Sequence, residues 1–536
     1  MIGHQSTQPR GLRWATAPLL ALLICNRPSV AESQDKTPAV RQYDSAAIAV
    51  PAGYTIEPVA TKLDFPVDIT FGNKGEIYLA LAGGHTYGTG PKMAPPAKII
   101  QLMPDGSTKV VFDKMVPMQE IKKADSSDKM SEGLIPPVTG VTWHEGKLYI
   151  SHRFRYSVLD PKTGDFKTIV NGLPSWGEFL NGKPIFDDQG RMVFFLSTQG
   201  NSGVLEEHWM KVINTFNKPA AHEIPGEDIE LTGQNFPVPV EDPSTPNVRD
   251  TKMTGAFMPL GQTAKRGKMV GGKKICNGAF FRCRTDGSEL ERIAWGFRSS
   301  FGYRFAPDGR LICTQNSANP MPPRGLWWDH ETVYEVVQGE WYGWPDFFSG
   351  IPITDPRFEV HKGKNEFVLT AQTHRRLLKG QPLPRQPLVR LSPHSAAEGM
   401  VFGRRDFGLS ENSILVAEMG AIVPMFKGKG VGPGKAAPSD PPPDVDFDWP
   451  GFRVQLIDLD SRRVSDFVIN RSRRPASAAE PDQPGPAGGL ERPVQLEWGP
   501  DGALYIVDFG VIHFEPKGMN AHARTGAVWR VTRATQ

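Results

Sequence analysis

Apolar and polar residues alternate in short runs along most of the chain, and the runs come in pairs. In the first kind of pair an alternating apolar strand meets a short turn, usually containing glycine. A second strand rich in Leu, Ile, Val and Tyr follows. This unit occurs at 68–81 (DITFGNKGEIYLAL), 140–151 (GVTWHEGKLYIS), 184–197 (PIFDDQGRMVFFLS), 302–315 (GYRFAPDGRLICTQ) and 495–508 (QLEWGPDGALYIVD). A looser copy spans 399–418 (GMVFGRRDFGLSENSILVAE). Period-two alternation around an Asp-Gly, Lys-Gly, Glu-Gly or Gln-Gly turn predicts a β-hairpin. A second type of hairpin often comes next, at 99–112, 156–170, 280–294 and 454–469. Two hairpins in series make a four-stranded antiparallel sheet, the unit of a propeller blade. Six copies predict an all-β fold, a six-bladed β-propeller of four-stranded antiparallel blades. Their uneven spacing predicts long inter-blade loops.

The two ends of the chain bear on closure of the ring. Gly53–Val59 (GYTIEPV) is strand-like and precedes the first hairpin, while Ala527–Val531 follows the last. A blade built from both would remove exposed edges and tie down the termini.

Composition narrows the alternatives. The chain of 536 residues holds 55 glycines and 49 prolines, with 39% hydrophobic and 10% aromatic residues. That is a turn-rich folded protein with ample core, and proline at this density excludes long helices. Two Gly/Pro-rich segments, 425–449 and 471–489, read as insertions between strands. Arg10 and Arg13 precede the apolar run Trp14–Cys25, and Ser29-Val30-Ala31 supplies small residues at an exit site. This is the layout of a signal peptide over 1–31, cleaved after Ala31, which predicts a periplasmic or secreted protein. A lipoprotein signal ending at Cys25 is the competing layout. The apolar run is too short for a membrane span of about 20 residues, and no later stretch is long enough. The leader carries three arginines and no acid; of 61 basic and 58 acidic residues, 58 of each remain beyond it. A neutral chain offers no bulk attraction for nucleic acid. Residues 32–536 therefore read as one propeller domain.

Three cysteines lie beyond the leader: Cys276, Cys283 and Cys313. An extended strand would separate the first two by roughly 23 Å, beyond the Cα reach of a disulfide. Their spacing fits neither a zinc site nor haem attachment, so they are expected as small buried apolar residues.

The stretch 289–350 (ELERIAWGFRSSFGYRFAPDGRLICTQNSAN … WWDHETVYEVVQGEWYGWPDFFSG) resembles the glucose/sorbosone dehydrogenase family of quinoprotein propellers. PAGYTIEPVA at 51–60, HSAAEGMVF at 394–402 and GLERPVQLEWGPDGALYIVD at 489–508 extend the likeness. The resemblance implies a six-bladed exported enzyme that uses pyrroloquinoline quinone (PQQ) with Ca2+ to oxidise a sugar or sugar aldehyde. A cytochrome or quinone would be its electron acceptor. Such chemistry needs a base for the hydroxyl proton, a cation to polarise the quinone and cationic groups for the cofactor's carboxylates.

By that resemblance Arg298 is the active-site arginine, serving both catalysis and cofactor binding. Ser299 stands where the family has asparagine, and Arg404 or Arg405 lies near the cofactor-binding lysine. Asn316 and Ser317 fall in the expected calcium loop, with Asp329 and Glu331 in the acidic stretch beyond. The family's base histidine aligns with Phe179, in Gly177-Glu178-Phe179-Leu180-Asn181-Gly182, and phenylalanine accepts no proton. Glu178 is the neighbouring candidate for the catalytic role. His85, His152, Asn181 and Glu418 are further channel candidates near strand ends. Two other functions fit the same residues: a propeller without catalysis that binds carbohydrate or protein in its channel, and a calcium-dependent lactonase.

Overall fold

The computed structural model describes residues 41–83, 95–123, 129–177, 179–206, 216, 218–241, 249–320, 322–358, 365–421, 449–478, 488–515 and 518–534. The leader with Cys25, His85, Glu178, most of the 425–449 insertion and the 479–487 part of the second insertion lie outside them.

Each predicted hairpin forms, and six antiparallel sheets make the six blades of a β-propeller. Blade 1 comprises Pro66–Phe71, Ile77–Leu81, Lys98–Leu102 and Thr108–Phe112; blade 2 comprises Val138–His144, Lys147–His152, Arg155–Leu159 and Phe166–Val170. Blade 3 joins Ile185–Phe186 and Met192–Leu196 to Ala279–Cys283 and Glu291–Trp295 across a long insertion. That insertion carries its own hairpin, Asn235–Glu241 with Arg249–Gly255. Blade 4 is Tyr303–Phe305, Leu311–Gln315 and Thr332–Val336, completed by Val389–Arg390 after an excursion that holds the short helix Ala371–Leu377. Blade 5 has Ala397–Phe402, Ser413–Glu418, Arg453–Asp458 and Val464–Asn470, plus a fifth outer strand, Ile48–Ala49. In blade 6, Pro493–Trp498, Leu504–Asp508 and Gly526–Arg533 are closed by Tyr54–Leu63 from the other end of the chain.

The first strand of each blade lies innermost, and its neighbours pack against it around the axis. Second strands are apolar on both faces because each blade is covered on both sides: Met192–Leu196 is buried throughout, whereas the outer strand Thr108–Phe112 is largely exposed. Alternation then distributes side chains between two interfaces. Phe194 points into the core shared with blade 2 through Tyr149 and Tyr156, and Phe195 into the core shared with blade 4 through Tyr303 and Tyr334. Comparable clusters join blades 4 and 5, 5 and 6, 6 and 1, and 1 and 2. The ring therefore closes through six apolar interfaces. The three cysteines are free and buried in two of these cores, and burial raises their thiol pKa values, as expected for inert packing residues.

Polar residues occupy the axis. Lys183, just before the inner strand of blade 3, bonds Asp68 of blade 1 at 2.9 Å and Glu497 of blade 6 at 2.8 Å. Blades 3 and 6 are opposite one another in a six-membered ring, so the Lys183–Glu497 pair crosses the channel. Arg304 of blade 4 joins Glu497 at 3.1 Å. Burial opposes ionisation of Glu497, but the two cations outweigh it and hold its carboxyl below the usual range. The Asp68 carboxylate also accepts the Val141 N–H of blade 2 at 2.7 Å. Four charges from four blades thus fix the inner radius.

Removing one partner of a buried pair leaves an uncompensated charge, a loss of about 3–5 kcal/mol. Lys183→Met is expected to lower stability by about that amount, read as a reduced denaturation midpoint. An unchanged midpoint would contradict the role given to the cluster.

Candidate functional site

Within a blade the start of the first strand and the end of the second lie at the same end, because the two are antiparallel. The segments 197–203, 298–302, 316–318 and 394–396 therefore gather on one face of the ring, called here the upper face, around blades 3 to 5.

Arg298 sits at the centre of this group and is only 3% exposed. Its N–H donates to Gln315 Oε1 at 3.1 Å and its carbonyl accepts the Thr198 N–H at 2.9 Å, which locks its backbone between the second strands of blades 3 and 4. The guanidinium lies over the Phe179 ring, 4.1 Å from its centroid, and its Nε donates to Asn201 Oδ1 at 3.1 Å. Its two Nη amines make no hydrogen bond or ion pair with a described residue. A cation so placed has donors left over for an anionic or carbonyl oxygen.

The Trp341-Tyr342-Gly343-Trp344-Pro345 run builds the wall behind it. Tyr342 stacks on Phe297 with centroids 3.9 Å apart, and the Tyr342 and Trp344 N–H groups donate to the carbonyls of Trp295 and Gly296. Trp344 Nε1 donates to the Asn201 carbonyl at 3.0 Å, holding the residue that holds Arg298. Gly296 has φ +84°, and a Cβ there would lie 2.2 Å from Trp341 Cδ1, so glycine is needed for this contact.

Beside Arg298, the Asn316 N–H donates to the Ser299 carbonyl at 2.8 Å. Asn316 Nδ2 donates to Glu398 Oε1 at 3.2 Å, leaving Asn316 Oδ1 buried without a partner; the Ser299 hydroxyl is likewise buried and unpartnered. Ser317 Oγ is already used in both senses, donating to Glu331 at 2.7 Å and accepting the His394 N–H at 3.2 Å. Burial pushes the Glu331 carboxyl up to about 7, against hydrogen bonds from the Ser317 hydroxyl and the backbone N–H groups of Ser317, Ala396 and Ala397. Glu398 is pushed up to about 8 by removal from water and by the neighbouring Glu331. Burial also raises Asp329, although Ser349, Ala318, His330 and Arg298 all favour its charged form. His394 is driven down to about 4, first by burial and further by the charges of Arg298 and His330, against the bond its ring donates to the Trp327 carbonyl.

Of the residues expected from sequence, Arg298, Ser299, Asn316, Ser317 and Phe179 come together here. Asp329 and Glu331 join them. Asn181 and His152 form a separate buried network: Asn181 Nδ2 donates to the His152 carbonyl at 2.7 Å, and both His152 ring nitrogens are engaged, with Ile135 N–H and Ser157 Oγ. Burial lowers His152 to about 3, so it is a neutral structural residue. Glu418 pairs with Arg453 at 2.7 Å and accepts from Ser395 Oγ. Arg404 follows the end of the blade 5 inner strand, at the lower face, where it lies over Trp498 and pairs with Asp406. It borders a cleft with Arg304, Phe402 and Glu497, away from Arg298. Arg405 pairs with exposed Glu411. His394 and Glu398 were overlooked within the very segment, 394–402, that carries part of the family likeness. Among the described residues no three His, Cys, Asp or Glu side chains converge to hold a metal ion, as a lactonase-type centre would require.

No protein-family model matches the chain, and no curated protein does. Solved structures do. The chain is similar to the holo form of the pyranose dehydrogenase PQQ domain from Coprinopsis cinerea, at 14% identity over 92% of this chain and 98% of that one, with a TM-score of 0.49. It is also similar to the PQQ-bound aldose sugar dehydrogenase from Streptomyces coelicolor, at 12% identity over 90% and 99% with a TM-score of 0.46. For the apo soluble aldose sugar dehydrogenase from Escherichia coli the values are 12%, 90%, 99% and 0.47. The six sheets described above establish the propeller by themselves. No helix among the described residues is long and apolar enough to cross a membrane.

The loop that carries Asn201 rests on a second buried acid. Glu223 Oε1 accepts the N–H groups of Gln199 and Gly200, while its Oε2 is buried without a partner. Burial, with Glu206 nearby, pushes Glu223 up to about 8. An acid raised in the folded state contributes stability below its unfolded pKa, about 4.3, and loses it as pH climbs toward 8. Glu223→Gln keeps the acceptor and removes the titration. Melting curves are expected to show the variant gaining on the parent between pH 5 and 8. A difference independent of pH would contradict this assignment.

Proposed function

We propose that the protein is an exported quinoprotein that oxidises a sugar or sugar aldehyde with PQQ and calcium. The observation that carries this reading is Arg298: a guanidinium almost wholly removed from water, held by Phe179 and Asn201, with two amines unclaimed by described residues. A buried cation that makes no ion pair with a described residue favours an anionic ligand, and arginine suits carboxylate oxygens because its donors are paired and planar.

The neighbouring groups fit the same ligand. Asn316 Oδ1 is a buried oxygen with free lone pairs, the kind of donor a hard divalent cation takes, and backbone carbonyls of that loop would complete its shell. Ser317 holds the Glu331 carboxylate beside it through its hydroxyl. PQQ, when bound, supplies a two-electron acceptor for a carbinol C–H. Arg298 would hold and polarise its oxygens, Phe179 would keep that guanidinium level, and the carboxyls of Glu331 and Glu398, whose pKa values lie near neutrality, would limit the negative charge facing the cofactor. Sugar or aldehyde would enter from the upper face, because the Lys183 cluster occupies the axis.

Titration of the purified protein with PQQ in the presence of calcium is expected to show binding at micromolar concentrations, with dye reduction on part of a panel of aldoses and aldehydes. Arg298→Ala is expected to weaken PQQ binding by about tenfold or more, the loss of a charge-assisted hydrogen bond. No binding by the parent protein would overturn the reading. PQQ binding without turnover on any sugar would favour a binding propeller.

A further inference from the structure

We propose that His394 is the proton acceptor of this oxidation, its Nδ1 taking the hydroxyl proton of the substrate beside Arg298. The proposal rests on the quinoprotein reading above and supplies the group that Phe179 cannot.

The tautomer of His394 is fixed by its partner. Nε2 faces the Trp327 carbonyl oxygen, which can only accept, so Nε2 carries the hydrogen and Nδ1 presents a lone pair. Nδ1 makes no hydrogen bond with a described residue, and it is not among the atoms sealed from solvent without a partner. His152 is the contrast, with both ring nitrogens engaged.

The backbone also singles out this residue. His394 has φ +59° and Ala396 φ +52°, left-handed conformations that non-glycine residues keep only where the surroundings hold them. The loop is clamped to stay there. The His394 N–H donates to Ser317 Oγ, the carbonyls of Ser395 and Ala396 accept the N–H groups of Gly420 and Met419, and Ser395 Oγ donates to Glu418. Glu418 is thus a positioning residue behind the loop. Through Ser317 and its neighbour Asn316, bonded to the Ser299 carbonyl, His394 is tied to the segment that carries Arg298.

In the step, the substrate O–H bond breaks and its proton passes to Nδ1. The electron pair left on oxygen would form the carbonyl, and a bound ortho-quinone would supply the two-electron acceptor for the C–H pair. The imidazolium so formed keeps its Nε2–H on the Trp327 carbonyl, and it meets Arg298 and His330 as like charges.

Two experiments on the full chain test this. Diethylpyrocarbonate, which attacks a bare imidazole nitrogen, is expected to label His394 in the protein without cofactor and to spare His152, as read by peptide mass spectrometry. His394→Gln retains an amide for the Trp327 carbonyl but no proton acceptor, and His394→Asn suits the left-handed backbone. With melting midpoints confirming the fold, both are expected to bind PQQ within about threefold of the parent and to lose about 10²–10⁴ in dye reduction. Parent-like turnover in both His394 variants, or His394 unlabelled while His152 reacts, would overturn the proposal and leave the quinoprotein reading standing. A parent protein that binds no PQQ would overturn both.

Discussion

A lysine ammonium on the propeller axis sets the terms for everything around it. Lys183 leaves blade 3 and meets carboxylates of blades 1 and 6, and Arg304 of blade 4 shares the second of them. Desolvated charges are costly unless paired and hydrogen-bonded, so the six blades must approach the axis at one radius to keep these partners in contact. Apolar packing between blades drives the ring to close, and its cost of misplacement is gradual; the ion cluster penalises a misplaced blade steeply. Tyr303 reinforces the same point, donating from blade 4 to the Lys183 carbonyl. With the axis occupied by these side chains, a small molecule can meet the ring only at an end of the channel.

At the upper end, rigid packing delivers an underused cation. Arg298 is held by backbone bonds to two blades, by Asn201 and by the Phe179 ring, and Asn201 is held in turn by Trp344. The aromatic run 341–345 therefore serves the site at one remove. It contacts the segment before Arg298 and leaves the guanidinium amines clear. Around that charge stand acids whose burial raises their pKa values, and a histidine held neutral. This balance lets the face accept an anionic ligand without collecting a surplus of like charge.

The fold was legible because hairpin geometry is local. Turns such as Pro307-Asp308-Gly309 and the alternation on either side mark themselves within a dozen residues, and the pairing of Tyr54–Leu63 with Gly526–Arg533 followed from the need to close an edge. Blade 4 was less visible, since the excursion between Thr332–Val336 and Val389–Arg390 separates its outer strands. The extra strand Ile48–Ala49 is too short to carry a period. For the site, the likeness around residues 289–350 pointed to Arg298, Asn316 and Ser317, which the structure brings together. The VFGRR segment at 401–405 pointed to Arg404 or Arg405, and Arg404 lies at the lower face; one-dimensional proximity to a signature does not say which end of a strand a side chain occupies. His394 went unnoticed because its distinguishing features are a fixed tautomer, an unclaimed nitrogen and a left-handed backbone, and none is a property of sequence.

Whether the Arg298 amines receive the proposed quinone cofactor is read from a crystal structure of the protein grown with PQQ and calcium. Cofactor density is expected on the upper face with an oxygen at hydrogen-bond distance, about 3 Å, from Arg298 Nη. Density at another place, or an Arg298 guanidinium that stays unliganded at saturating PQQ, would contradict it.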